Sequence, residues 1–378
     1  MRPGLRLTRL MLSQFRSYAE LNWRPEADVM VITGPNGAGK TNLLEAISLL
    51  APGRGLRGTR IAEVMRQGAS AWAINGRFAT PGGEMDIGTG TAPEAASDRR
   101  VFRLDGVAPR NQAELAARYA CVWLTPQMDR LFQEGASGRR RFLDRLVYAF
   151  EPSHAREVAA YEAAMAGRNR LLSEGRVDRA WLAGLEDSMA RHAVAASAAR
   201  AALVARMNAA PAEGAFPAAR LGLACEIVQH LAVHPAVETE DWLRGVLQDN
   251  RGADAAAGSA RQGAHRADLT MADAASGLPA AQASTGQQKA LLLGMILGHA
   301  GLLSAVRGFA PLLLLDEPLV HLDAIRRDAL FDTLRRLPAQ SFLTGTDSGP
   351  FAALHGLAAG FTVALGAGLH PDPLLPPE

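Results

Sequence analysis

The sequence has few cysteines, no long apolar run and almost no net charge, and each shortage excludes a class of protein. Its two cysteines, Cys121 and Cys225, lie far apart, which excludes a disulfide framework and a CxxC zinc site. Residues 1–15 lack the apolar segment of a secretory signal peptide. The most apolar stretch, residues 290–303, is too short to span a bilayer and is interrupted by His299, which favours a buried helix. These absences predict a soluble cytoplasmic protein without a membrane partner.

The charge balance leaves the class of partner open. The formal net charge is only +2, so the overall field neither favours nor excludes a polyanion. Any affinity for nucleic acid must therefore come from local clusters of arginine. With 378 residues, the chain is long enough to bury two cores.

The order of the apolar patterns predicts an α/β protein that carries a second, helical lobe. Strand patterns, most of them bounded by glycine or proline, occur at residues 5–12, 18–23, 29–33, 72–104, 121–124, 312–315, 342–344 and 361–365. Between them, the Ala- and Arg-rich residues 153–210 predict two long helices broken near Gly175. Residues 251–263 are rich in Ala, Gly and Ser, which predicts a surface loop.

Residues 34–41 have the sequence GPNGAGKT and lie between a predicted strand and a predicted helix. In this GxxxxGK[ST] pattern, glycines let backbone N–H groups and a helix N-terminus surround a phosphate. Lys40 is then placed at the β- and γ-phosphates of ATP, and the Thr41 hydroxyl is placed on Mg²⁺. The predicted nucleotide-binding residues are Gly34, Pro35, Asn36, Gly37, Ala38, Gly39, Lys40, Thr41 and Asn42. An unoccupied glycine-rich turn is the alternative.

Four leucines at residues 312–315 are followed by Asp316 and Glu317. Such a run is typical of a central parallel strand that is buried on both faces, where two acids are costly unless they serve a cation. Asp316 is suited to hold Mg²⁺, and Glu317 is suited to act as general base on the attacking water. Lys40 and Glu317 are thus the predicted catalytic residues. An N-cap pair at a strand-to-helix turn is the alternative.

Ser284, Thr285, Gly286 and Gln287 stand at the start of a strongly apolar helix. A hydroxyl and free N–H groups at a helix start suit an anion, although an ordinary N-cap has the same composition. Their position, one long helix before Asp316, matches the signature of ABC-type ATPases. That signature contacts the γ-phosphate bound by the other copy of a dimer, and Thr285 departs from its usual glycine-like position.

Three weaker matches fit the same layout. Asp323 falls where this class has its D-loop, which touches the partner subunit. Thr346 follows a strand where the class has a switch histidine, so that a hydroxyl would sense the γ-phosphate. Gln127 is placed like the Q-loop glutamine that links Mg²⁺ to the other lobe, and a plain turn residue is the alternative.

With these motifs in place, the sequence resembles the RecF family of ABC-type ATPases, which is related to SMC proteins. The resemblance runs along nearly the whole chain. It is carried by LTRL at 7–10, FR at 15–16, GPNGAGKTNLLEAI at 34–47, RRRFLD at 139–144, GAHRADL at 263–269, STGQQK at 284–289 and LDAIRR at 322–327. Gln127 departs from the family, which commonly has a glutamate after the proline.

The resemblance implies an ABC-type P-loop ATPase head with a mixed sheet and an inserted helical lobe. We accordingly predict that residues 1–144 and 261–366 form the ATPase lobe, that residues 145–260 form helical lobe II, and that residues 367–378 form a disordered tail. It also implies ATP and Mg²⁺ as cofactors, an ATP-dependent homodimer on gapped, single- and double-stranded DNA, and slow ATP hydrolysis. Cooperation with RecR and RecO in loading RecA, in recombinational repair and replication restart, follows from the likeness alone, as does a connection to the SOS response.

Contacts to DNA are predicted only as clusters of arginine, because phosphate neutralisation supplies most sequence-independent affinity. Candidates are Arg139, Arg140 and Arg141, and also Arg54, Arg57, Arg60, Arg168 and Arg170. An ordinary solvated face is the alternative for each of them, and Arg57 could instead approach the nucleotide.

Three other functions fit parts of the pattern. An SMC-type ATPase needs sustained heptads and a hinge or zinc hook between the loop and the signature, and residues 42–283 contain neither. The nucleotide-binding subunit of a transporter has a much shorter gap and no long helical hairpin. A site that holds ATP only to join two subunits would not need Glu317.

Overall fold

The structure is a computed structural model that describes residues 4–91, 100–174, 178–210, 216–364 and 368–376. Its contacts divide the chain into two compact units. Unit 1 consists of Met1–Asp129, Ala212–Pro217 and Ser284–Glu378, and unit 2 consists of Arg130–Pro211 and Ala218–Ala283.

The strands are, in chain order, β1 (Arg6–Phe15), β2 (Tyr18–Trp23), β3 (Val29–Thr33), β4 (Ala73–Thr80), β5 (Gly83–Thr91), β6 (Arg100–Leu104), β7 (Cys121–Leu124), β8 (Ala219–Ala224), β9 (Asp268–Asp273), β10 (Leu312–Leu315), β11 (Ser341–Thr344), β12 (Ala358–Val363) and β13 (Leu369–Pro371). The helices are α1 (Lys40–Leu49), α2 (Gln112–Arg118), α3 (Ala136–Phe150), α4 (His154–Ser173), α5 (Arg179–Ala209), α6 (Glu226–Leu231), α7 (Ala236–Asp249), α8 (Arg251–Ala257), α9 (Thr285–Arg307) and α10 (Ala324–Arg336).

Unit 1 contains an antiparallel sheet in the order β2-β1-β4-β5-β6 and a mixed sheet in the order β13-β12-β3-β11-β10-β7. In the mixed sheet, β7, β10, β11, β3 and β12 run parallel, and β13 is antiparallel to β12. The all-leucine strand β10 is fully buried between β7 and β11, as its composition predicts. The mixed α/β head expected from the sequence is confirmed.

One hydrophobic core joins both sheets of unit 1 to α1. It includes Phe15 and Phe78 from the antiparallel sheet, Ile32 and Leu314 from the mixed sheet, and Ile47 from α1. The glycine-rich loop therefore connects two elements, β3 and α1, that are both packed into this core.

Helix α9 is longer than its apolar stretch suggested and by length and composition alone could cross a membrane. The side chains of Gln288, Lys289 and His299 are nevertheless buried in unit 1. We therefore interpret α9 as a core helix, as the sequence predicted.

Unit 2 contains α3 to α8 and the antiparallel pair β8-β9. Helices α4 and α5 pack against each other and confirm the predicted helical pair, while Gly175 lies outside the described residues. The core of this unit includes Tyr161, Met189 and Leu243.

The bounds of the two units differ from the predicted 144/145 and 260/261. Helix α3 and residues 261–283 belong to unit 2, because Arg139 of α3 forms a two-bond ion pair with Asp268 of β9 (2.7 and 2.9 Å). The sequence pattern could not reveal this pairing between distant segments.

Two local expectations were wrong. The predicted loop at residues 251–263 begins with α8, whose alanines favour a helix and whose Asp254 is buried. The predicted disordered tail contains β13, which pairs with β12, and the fully buried Leu375. Gly360 donates to the Leu375 carbonyl at 2.6 Å, so residues 368–376 complete the edge of the mixed sheet.

A buried ionic network holds α4, α5 and α8 together. Arg168 is fully buried and contacts Glu186 (3.0 Å), Asp254 (2.7 Å) and the carbonyl of Leu247 (2.6 Å). Arg251 also pairs with Glu186. Removing one member of such a network leaves an uncompensated charge in the interior.

We therefore predict that Arg168→Met lowers the free energy of unfolding of unit 2 by about 3–5 kcal/mol. Arg170→Met, two residues further along α4 at an exposed position, is the matched control and should change it by less than about 0.5 kcal/mol. Urea unfolding followed by circular dichroism measures both variants, and equal effects would contradict a structural role of the network.

Candidate nucleotide site

The glycine-rich loop is held from the turn between β1 and β2. Gly39 caps α1 with φ 112°, and a Cβ atom at this position would lie 2.7 Å from Ser17 Oγ. The Tyr18 hydroxyl donates to the Gly39 carbonyl at 3.1 Å. A side chain at position 39 is thus excluded both by backbone conformation and by space.

Lys40 is buried at the start of α1. Its Nζ donates to the carbonyls of Gly34 (2.7 Å) and Pro35 (3.1 Å), so the side chain folds back over the loop. Neither partner carries a charge, and the ammonium group has its charge available for a phosphate. The geometry fits the role predicted for Lys40.

The Asp316 carboxylate joins three elements at the carboxyl edge of the mixed sheet. Thr41 Oγ1 of α1 lies 2.9 and 3.1 Å from its two oxygens, and Thr344 Oγ1 of β11 donates to Oδ1 at 2.7 Å. Hydroxyl and carboxylate oxygens suit Mg²⁺, which usually takes one or two carboxylates and completes its shell with phosphates and water. The described residues contain no cluster of three or more His, Cys, Asp or Glu that could hold a metal.

Glu317 has a left-handed backbone, with φ 49°. This conformation costs about 1–2 kcal/mol for a residue with a side chain. It is held at both ends, because the Glu317 N–H donates to Thr344 Oγ1 (2.9 Å) and Lys289 Nζ donates to the Glu317 carbonyl (3.0 Å). Strain kept in this way is typical of functional residues.

The predicted signature and D-loop meet in unit 1. Ser284 and Gln287 form a capping box at the start of α9, with the Gln287 side chain bound to the Ser284 N–H (2.9 Å). A Cβ atom at Gly286 would lie 2.8 Å from the His321 carbonyl, so only glycine permits this approach. Thr285 is exposed. Asp323 caps α10 by accepting the Arg326 N–H at 2.8 Å.

The two weakest predicted residues lie near the same edge of the sheet. The Thr346 carbonyl accepts the Gly34 N–H at 3.3 Å, which places the loop after β11 against the glycine-rich loop. Gln127 is exposed in a short 3₁₀ helix after β7, and it makes no hydrogen bond with Thr41 or Asp316 in the described structure. Its role as a ligand of Mg²⁺ stays a prediction.

Sequence reasoning missed Thr344 and Lys289. Thr344 is a polar residue at the end of a buried strand next to Asp316, and that position was a usable signal. Lys289 is a cation near the start of an apolar helix. It was counted as part of the signature motif and was given no role of its own. Glu45 was also missed. It is fully buried in α1 and pairs with Arg16 (2.7 Å) and Arg57 (3.1 Å).

The arginines proposed for DNA divide into two groups. Arg139 pairs with Asp268, Arg140 donates to the Ala267 carbonyl (3.0 Å), and Arg168 is buried, so these three hold unit 2 together. For Arg168 the expectation of DNA contact is wrong. Arg141 is exposed and remains a candidate, and the same holds for the exposed Arg54, Arg60 and Arg170. Arg57 donates to Asn42 Oδ1 at 2.8 Å, which places it beside α1.

Comparison with known proteins agrees with this architecture. Residues 6–358 match the family model described as RecF/RecN/SMC N terminal domain. The chain is 44% identical to the DNA replication and repair protein RecF of Mesorhizobium japonicum, over 94% of this chain and 96% of that protein. It is also 44% identical to the protein of the same name from Agrobacterium fabrum, over 95% and 97% of the two chains.

Two solved structures share the fold. One, described as the recombination mediator protein RecF-ATPrS in the RecFOR pathway, has a TM-score of 0.85 at 22% identity and covers 98% of this chain and 99% of its own. The other, an Smc head domain from Pyrococcus furiosus with an extended coiled coil and bound to the C-terminal domain of ScpA, has a TM-score of 0.53 at 14% identity, with 97% and 96% covered. Because the motifs, the fold and the full-length similarity agree, the chain belongs to the RecF family within the wider RecF/RecN/SMC group.

Proposed function

We propose that this protein is a DNA-binding ATPase of recombinational repair and replication restart. ATP closes a homodimer on gapped DNA, and slow hydrolysis opens it again. The observation that carries the proposal is the convergence of Lys40, Thr41, Asp316 and Glu317 at one edge of the mixed sheet. The full-length similarity to RecF proteins supports the assignment to DNA repair.

The residues divide the chemistry among them. Lys40 and the N–H groups of the loop bind the phosphates of ATP, and Thr41 and Asp316 supply oxygens for Mg²⁺. Mg²⁺ held there would supply positive charge to neutralise the phosphates. Glu317 orients the attacking water and accepts its proton as general base. Thr346, beside Gly34, senses the γ-phosphate through its hydroxyl.

The exposure of the signature supports the proposed dimer. Ser284, Thr285 and Gln287 are exposed at the start of α9, and Asp323 is exposed beside them across Gly286. In the proposed dimer, Ser284, Thr285 and Gln287 contact the γ-phosphate bound by the second copy, and Asp323 touches the partner subunit. ATP thereby joins two subunits that hydrolysis separates.

The finer assignments follow the family. DNA is recognised through its backbone, and Arg141 is the best-placed of the three adjacent arginines. RecR and RecO are the proposed partners in placing RecA at single-strand gaps, with a connection to the SOS response. We place the protein in the cytoplasm, in agreement with its two free, buried cysteines.

The function is tested by size-exclusion chromatography with light scattering, without nucleotide and with ATP and Mg²⁺, and again with gapped duplex DNA. We expect monomers that become dimers only with ATP and that bind DNA as dimers in a salt-sensitive manner. A mass that does not respond to ATP would refute the ATP-closed dimer.

We predict that Lys40→Ala abolishes ATP-dependent dimerisation, because the main charge that binds the phosphates is lost. Arg24→Ala removes an exposed cation from unit 1 and should leave dimerisation unchanged. Light scattering measures both variants. Normal ATP-dependent dimers of Lys40→Ala would show that the glycine-rich loop is not the nucleotide site.

We predict that Glu317→Gln retains ATP and accumulates the closed dimer, because the amide keeps the shape of the side chain but cannot accept a proton. The turnover number should fall by about 10²–10⁴-fold, the usual contribution of a general base. Glu20→Gln, at an exposed position of β2, is the control. Steady-state release of phosphate measures the change, and unchanged turnover would remove Glu317 as base.

A further inference from the structure

Lysine is almost absent from this chain. Lysine and arginine together number 40, and lysine occurs only at positions 40 and 289. Lys40 is the lysine of the glycine-rich loop, and Lys289 has no role in the proposed function. A lysine differs from the arginines that supply the other cations in carrying a compact ammonium group on a flexible stem.

Lys289 lies in the first turns of α9, five residues after Ser284, and its side chain is 1% exposed. Burial lowers the pKa of Lys289, an effect opposed by the neighbouring carboxylate of Asp129. An apolar side chain would be the less costly choice at this buried position, where alanine and leucine follow Lys289 in the helix. The energetic cost of burying this ammonium group indicates that its contacts inside unit 1 have a function.

The ammonium group makes two contacts. Nζ donates to the Glu317 carbonyl at 3.0 Å and lies 3.3 Å from Asp129 Oδ2. The shorter contact is to the backbone of the proposed general base. Asp129 is the last residue of this segment of unit 1, two positions after Gln127.

Glu317 needs such a contact, because its backbone is left-handed in spite of its side chain. Thr344 holds the peptide before it, through the N–H of Glu317, and Lys289 holds the peptide after it, through the carbonyl. Rotation of the residue toward a relaxed conformation would break one or both bonds. The direction of the Glu317 carboxylate therefore depends on Lys289.

We propose that Lys289 is a positioning residue for ATP hydrolysis, which holds the backbone of Glu317 and ties the general base to the helix that begins with the signature. The proposal rests on the proposed function. A shift of α9 when Ser284 contacts a phosphate of the second copy is transmitted through one hydrogen bond to the residue that activates water. Hydrolysis is thereby linked to closure of the dimer.

The test is Lys289→Met, which keeps the length of the side chain and removes its donor. We expect the turnover number to fall by about 10–100-fold, because misplacement of a catalytic group by about 1 Å has effects of this size. The KM for ATP and the ATP-dependent dimer should change by less than about twofold, because the phosphate-binding residues remain. If the wild-type protein hydrolyses ATP and Lys289→Met has the same turnover number, this inference alone is overturned. If the wild-type protein itself does not hydrolyse ATP, the proposed function is overturned.

A second comparison distinguishes a positioning role of Lys289 from a purely structural one. In a Glu317→Gln background, Lys289→Met should cause no further loss of the residual rate, because Lys289 acts through Glu317. A further loss of the same size overturns the proposal. Asp129→Asn keeps the bond between Lys289 and the Glu317 carbonyl and should therefore retain most of the turnover. A loss of turnover equal to that of Lys289→Met would also contradict the proposal.

Misfolding is controlled with the double variant Asp129→Asn, Lys289→Met, which leaves no unpaired buried carboxylate at position 129. It should fold, form the ATP-dependent dimer and show the same loss of turnover as Lys289→Met. A folded double variant with the wild-type rate overturns the proposal.

Discussion

The buried carboxylate of Asp316 sets the geometry of unit 1. It stands at the end of a strand of four leucines, where an unpaired carboxylate would be strongly unfavourable. Hydroxyl groups from α1 and β11 satisfy it, and this brings Thr41 and Thr344 to one point although they lie about 300 positions apart in the chain. Parallel pairing of β3, β11 and β10 makes the meeting unavoidable, since the carboxyl ends of parallel strands share one edge.

Unit 2 is organised by polar contacts of a different kind. The GAHRADL segment at residues 263–269 provides them. His265 bonds to the Tyr161 hydroxyl (2.6 Å), Arg200 donates to the Ala264 carbonyl (2.7 Å), and Asp268 pairs with Arg139. The segment thus joins α3, α4 and α5 to the strand β9. The segment therefore contributes to the packing of this unit.

Much of unit 1 could be predicted because its signals are local. The glycine-rich loop, the leucine strand with its two acids and the helix start at Ser284 each depend on a few adjacent residues, and the structure brings Thr41, Asp316 and Glu317 together. The bounds of the units and the roles of Arg139 and Arg168 could not be predicted, because they depend on partners 129 and 86 positions away. Periodicity gives no information about such pairs. The helix α8 was missed because the composition of an Ala- and Gly-rich segment fits a loop as well as a helix. The ion pair between Asp254 and Arg168, which fixes this segment, is not visible in the local sequence.

The capping box at the start of α9 has a consequence for selectivity among anions. Ser284 and Gln287 bond to each other's backbone N–H groups, so two of the N–H groups at the start of α9 are already satisfied in a single copy. Inorganic phosphate or sulfate would have to displace these internal bonds and would gain little in return. In the proposed dimer, a triphosphate presented by the second subunit would bring several additional contacts at once. We therefore expect this helix start to respond less to a small anion than to a nucleotide that is already bound to the second copy of the proposed dimer.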